Sequence, residues 1–199
     1  MNKGMKLLLI CITVLFACSS MTVYAVSPRY ALGFQWPSVP HTIEWYCDGL
    51  ESWQETQAEA AMTKWNYVQA DDGSELLSSV LTNDSISQCR IYFDYLPTGT
   101  IARITPNPDL GDLQYVWIRL SNSHTFSDSA QVGAYDLQSV ILHELGHAYG
   151  VAHCHNDVNI VACGVGSCPY NVMSPVLSSN SQQRVLKNYD KDSYRSIYA

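Results

Sequence analysis

Residues 143–153 read HELGHAYGVAH, and the chain places four of its six histidines between positions 141 and 155. His143 and His147 stand four residues apart, so on a helix their rings project from one face about a turn apart. Two imidazoles in that arrangement can share one Zn²⁺ at about 2.0–2.1 Å. Glu144 is offset by one position, beside the metal rather than on it. There a carboxylate can take a proton from a metal-activated water and later deliver it to a leaving amine. Gly150 can adopt positive φ, end the helix and turn the chain back. His153 is then returned toward the metal, where a straight helix would carry it away. Three neutral imidazoles leave a fourth position open, which is the catalytic rather than the structural arrangement.

Two rival groupings exist. His155 lies eight residues beyond His147 instead of six and would need a longer turn, so His153 is favoured as third ligand. Cys154, His155, Cys163 and Cys168 could form a structural zinc site, but cysteines in an oxidising compartment, the setting that residues 1–25 point to below, more often form disulfides.

The elements that must position these groups can be read from pattern. DLQSVILHELGHAYG at 136–150 reads as a helix with Asp136 as N-cap, Leu137, Val140, Ile141 and Ala148 facing inward, and Gly150 as stop. Residues 54–69 place Ala58, Ala61, Met62, Trp65 and Val68 on one helical face. Strands are expected at 42–47, 89–96, 100–105 and 113–120, with weaker strand character at 76–81. Asn and Pro at 106–108 and Gly111 should break the chain between the last two strands. Residues 121–135 read as polar loop, and a short helix is expected at about 190–198. The pattern gives an α+β or α/β fold in a single domain spanning 26–199.

Residues 1–25 carry Lys3 and Lys6, an apolar run from Leu7 to Ala17 and a small-x-small ending, the form of a secretory signal peptide. The alternative is a lipoprotein signal that leaves Cys18 modified, although Phe16 is bulky for that form. Removal of 1–25 leaves 174 of 199 residues and shifts the formal charge from −7 to −9. No later stretch is long and apolar enough for a membrane span, and the acidic balance argues against nucleic acid. The expected setting is secreted or extracytoplasmic, as a monomer. Cys47, Cys89, Cys154, Cys163 and Cys168 remain, so at most two bridges form. One local bridge within 154–168 is expected, with Cys47–Cys89 as the second guess.

The full string from His143 to His153 fits H-E-x-x-H-x-x-G-x-x-H. On it the chain resembles the metzincin metallopeptidases, and within them the matrixin-like branch. NVMSP at 171–175 resembles the family's Met-turn. The resemblance implies Met173 as a hydrophobic floor beneath the zinc and Pro175 as the start of a wall for the residue after the cleaved bond. GTIARITP at 99–106 resembles the family's antiparallel edge strand, making Ile101 and Ala102 candidates for lining the substrate pocket. LKNYDKDSYRSIYA at 186–199 resembles its closing helix, with Tyr198 in a typical position. The implied fold is α+β and zincin-like: a five-stranded mixed twisted sheet with an antiparallel edge strand. The long helix and the zinc helix pack on that sheet, and a C-terminal helix follows the Met-turn. The implied activity is that of a zinc metalloendopeptidase on extended protein substrates.

The chain also departs from the family pattern. Pro175 stands where some branches carry a zinc-binding tyrosine, and Tyr170 is on the wrong side. The loop LPTGT before the edge strand has neither histidine nor aspartate, so no second zinc site of the animal type is expected. Calcium stays undecided. No cysteine-switch propeptide is expected, since the stretch between Ala25 and the first strand contains no cysteine.

Overall fold

The computed structural model describes residues 31–109, 112–154 and 171–198. The signal segment, Cys18, His155, Cys163, Cys168 and Tyr170 lie outside the described residues. Among the described residues, no helix is long and apolar enough to cross a membrane.

The architecture is α+β. Strand β1 (His41–Asp48) leads into helix α1 (Ser52–Asn66), then β2 (Leu77–Thr82), β3 (Cys89–Asp94), β4 (Ala102–Asp109) and β5 (Asp112–Ser121). A short parallel pair, β6 (Phe126–Ser127) with β7 (Tyr135–Asp136), precedes helix α2 (Leu137–Ala148), and α3 (Asn188–Tyr198) closes the chain. The main sheet is mixed, in the order β2-β1-β3-β5-β4. Its strands are parallel except β4, which runs antiparallel to β5 at the edge.

Helix α1 begins two residues earlier than expected because Glu51 and Gln54 form a capping box at its N-terminus. It also ends three residues earlier, at Asn66, where Tyr67 closes the last turn. Its inward face is the expected one, with Ala58, Ala61, Met62 and Trp65 buried. The fully buried Trp65 joins three elements. Its indole N–H donates to the Leu142 carbonyl of α2 at 2.9 Å, and its ring stands edge-on to Tyr149 and Tyr194. Truncating such a ring to alanine costs roughly 3–5 kcal/mol.

Two expectations are corrected. Strand β4 does not stop before Pro106 but runs on to Asp109, with a bulge between Asn107 and Pro108. An edge strand tolerates proline where the missing N–H would face outward, and Pro106 has that phase. Cys47 and Cys89 are both free and buried, not bridged. Parallel register places Cys89 opposite Trp45 and Cys47 opposite Ile91. The two thiols are thus a diagonal pair with Cα atoms roughly 8 Å apart, beyond disulfide reach. Burial pushes their pKa values up to about 12 and about 11. Cys154 is disulfide-bonded.

Candidate metal centre

Helix α2 starts where its sequence signal lies. The Asp136 carboxylate accepts the Ser139 N–H at 3.0 Å and forms an ion pair with Arg184. Burial pushes this carboxyl up, but the bonds from Arg184 and Ser139 outweigh it and hold the pKa below its usual value. The helix carries His143, Glu144 and His147 on its cleft side and ends in a Schellman turn. Gly150 N–H donates to the His147 carbonyl and Val151 N–H to the Gly146 carbonyl, each at 2.9 Å. Gly150 has φ +85°, and a Cβ there would stand 2.6 Å from the Phe34 carbonyl oxygen. Both constraints leave glycine as the residue that fits, and the turn delivers His153 back to the helix.

Three imidazoles converge as a result. Nε2 of His153 lies 3.2 Å from Nε2 of His143 and 3.0 Å from Nε2 of His147. The other ring nitrogens fix the tautomers. His143 Nδ1 is 2.7 Å from the Val172 carbonyl and His147 Nδ1 is 2.8 Å from the Val151 carbonyl. A carbonyl only accepts, so both Nδ1 atoms carry the proton and both Nε2 atoms present lone pairs. One N–H on His153 cannot satisfy two lone pairs at once; a cation among the three satisfies all of them. Tetrahedral bonds of about 2.0–2.1 Å would set the nitrogens roughly 3.3 Å apart, close to the spacing found. The cluster can therefore hold a metal ion.

Burial lowers the His143 pKa to about 4 and takes His147 well below its ordinary value, so both rings stay neutral, as ligands must. Glu144 is also buried, and desolvation lifts its pKa to about 8 against the pull of Arg103 and the Ile104 backbone. Its Oε2 has no hydrogen-bond partner. A buried carboxylate oxygen left open beside three converging lone pairs suits a group that handles a proton there.

The supporting residues come from distant elements. Met173 is fully buried, and a Cβ added at Gly146 would overlap its sulfur, so helix and turn approach to contact beneath the histidines. Asp190 of α3 pins that turn, accepting the N–H groups of Val172 at 3.2 Å and Met173 at 3.0 Å. Cys154 N–H donates to the Met173 carbonyl at 2.9 Å, tying the segment after His153 to the same turn. Sequence reasoning missed Asp190, although it lies four residues before Tyr194 and seven before Ile197 on the inward stripe of α3.

A cleft of about 490 Å³ opens above the cluster, within the range of roughly 300–1,000 Å³ typical of ligand sites. Ile101, Ala102, Glu144 and Pro175 all line it, together with the three histidines. Ser121 N–H donates to the Ile101 carbonyl at 2.9 Å, which fixes the phase of the β4–β5 ladder. Alternate backbone groups, those of Ala102 and Ile104, consequently point away from β5 toward the cleft, on the side where no described strand pairs with β4. Residues 101, 102, 143, 144, 147, 153 and 175 thus line one cleft, while Met173 packs against Gly146 of the helix and Gly150 sits in the turn that leads to His153. No protein-family model matches this chain, and no curated protein matches it.

Proposed function

We propose that the chain is an exported zinc metalloendopeptidase of the metzincin, matrixin-like kind. The observation that carries this reading is the convergence of three imidazole Nε2 atoms beside the open Glu144 carboxylate, in a cleft bounded by a free strand edge. Three histidines and one open position suit Zn²⁺. When bound there, Zn²⁺ supplies Lewis acidity, making a water acidic and polarising a carbonyl.

The rest falls to the chain's own residues. His143, His147 and His153 hold the ion, and the Val172 and Val151 carbonyls orient the first two rings. The free edge of β4 takes an extended peptide as an added strand, through the backbone groups of Ala102 and Ile104. Glu144 takes the proton from the attacking water and returns it to the departing nitrogen. Met173 supports the ligands from below, and Pro175 begins the wall for the side chain after the cleaved bond. Residues 1–25 serve as the export signal, and 26–199 form one catalytic domain acting as a monomer.

The test is cleavage of casein by residues 26–199 beside Glu144→Ala, with zinc measured in both. Cutting by the wild type alone, at about one zinc per chain in each, is the expected result. Two zinc-loaded proteins that both leave casein intact would remove general proteolysis from the reading.

A further inference from the structure

The cleft has one wall that the metal ligands and the Met-turn do not supply. Residues 31–36 form a strap across the C-terminal end of α2. Ala31 makes an antiparallel bridge with Val151, and Leu32 N–H donates to the Gly150 carbonyl at 2.8 Å. Trp36 anchors the far end: its indole N–H donates to the Ala148 carbonyl at 3.0 Å and its backbone N–H to the Tyr198 hydroxyl at 3.2 Å. Between them, the Gln35 carbonyl accepts the Leu113 N–H at 2.7 Å, tying the strap to β5. The Leu32 and Gln35 ties are made by backbone, so the course of the strap does not depend on the Leu32 side chain. Leu32 is 41% exposed, and it lines the cleft together with Ala152 and His153.

The cleft has two ends. Val140 lies about one turn before His143 and shares the first end with Pro175 and Leu177. Leu32 and Ala152 lie past the end of α2, beyond the histidines. On the peptidase reading, in which Pro175 begins the wall for the side chain after the cleaved bond, a strand laid along the outer edge of β4 sets its later side chains toward Pro175 and its earlier ones toward Leu32. Ala152 offers only a methyl group at that second end. The larger apolar surface there belongs to the strap.

We propose that Leu32 is a specificity-determining residue, the apolar wall that selects an apolar side chain on the amino-terminal side of the cleaved bond. This rests on the peptidase reading above. It makes chain outside the zinc motif and the sheet part of the substrate surface. Covering the exposed half of a leucine with an apolar partner corresponds to about a fivefold preference.

Binding tests it without turnover. The zinc-loaded protein is titrated calorimetrically with acetyl-Ala-Leu-Gly-hydroxamate and acetyl-Ala-Asp-Gly-hydroxamate, whose hydroxamate fixes the end that meets the metal. Acetohydroxamate alone reports on the metal centre. Wild type should prefer the leucine probe about fivefold. Leu32→Ser should lose that preference, Leu32→Met should keep it and Leu32→Lys should reverse it, with acetohydroxamate affinity and Tm unchanged throughout. An unchanged preference in Leu32→Ser overturns the proposal, as does equal weakening of all three probes. Zinc-loaded protein that prefers the leucine probe but leaves casein uncut keeps the Leu32 contact and removes the peptidase reading. Failure to bind acetohydroxamate removes both.

Discussion

The carboxylate of Asp190 accepts the backbone N–H of Met173 at 3.0 Å, so the last helix holds the turn beneath the histidines directly. The same carboxylate accepts Val172 N–H at 3.2 Å and Lys187 N–H at 2.8 Å. Val172 in turn gives its carbonyl to His143 Nδ1. A buried carboxylate in α3 is thereby two links from one of the three converging imidazoles. Asp190→Ala strands buried N–H groups and should cost roughly 3–5 kcal/mol in urea denaturation. Asp190→Asn keeps one accepting oxygen and should cost less. Both should weaken zinc binding, by about 10- to 100-fold for the alanine variant, measured by competition with a chelating dye. Full zinc affinity in a folded Asp190→Ala protein would break the proposed link.

Gly146 faces Met173 across a gap that admits no methyl group. A Cβ at Gly146 would overlap the Met173 sulfur and stand 2.9 Å from the Trp65 ring. Alanine is the better helix former by about 1 kcal/mol, yet Gly146→Ala should still destabilise by about 1–3 kcal/mol through overpacking. Combining it with Met173→Ala should recover part of that loss. A double-mutant cycle in urea therefore decides whether the two positions couple. Additive losses would mean that the helix and the turn do not press on one another.

The local parts of this centre are legible in sequence because each is fixed over a few residues. The helix cap at Asp136, the ligand spacing and the stop at Gly150 depend on helical period and on one positive φ. Ile101 and Ala102 are reached only through the likeness of residues 99–106 to an edge strand, since alternation alone sends adjacent side chains to opposite faces. Residues whose roles depend on distant partners are not legible in that way. Nothing near Asp190 announces that Val172 and Met173 will lie above it, and nothing near Leu32 announces the end of α2. The Cys47–Cys89 pairing fails for a related reason: it depends on register between β1 and β3, which neither strand encodes alone. Pro106 and Pro108 mislead because a proline reads as a break unless its phase in the ladder is known, and that phase is set by the pairing with β5.

Gly150 links the helix stop to the placement of His153. Its φ of +85° lies in the left-handed region, and the Phe34 carbonyl closes the space a side chain would need. Gly150→Ala should therefore cost about 2–3 kcal/mol, combining backbone strain with that close contact. The larger effect should fall on His153, because the turn sets its return path. Zinc affinity should drop further than in a control of equal stability loss, such as Met62→Ala in α1. Equal drops in the two variants would show that the turn matters for stability alone.

Glu144 and the histidines give the metal-free protein opposite pH dependences. Burial raises the Glu144 pKa from 4.5 to about 8, so the folded chain keeps a proton that the unfolded chain has released. That contribution to stability is full below about pH 4.5 and is lost as pH rises through 8. His143 shifts the other way, from 6.5 to about 4, and His147 also moves down. Below pH 6.5 the unfolded chain protonates first, so stability falls as the pH approaches 4. In EDTA, Glu144→Gln should flatten the upper limb, gaining up to about 5 kcal/mol over wild type at pH 8, and leave the lower limb in place. Saturating Zn²⁺ should remove most of that gain, since a dication beside the carboxylate favours its charged form. Urea midpoints at pH 4.5, 6 and 8, with EDTA or with zinc, provide the comparison. Parallel curves for wild type and Glu144→Gln in EDTA would mean that the carboxylate is already ionised at neutral pH without a metal.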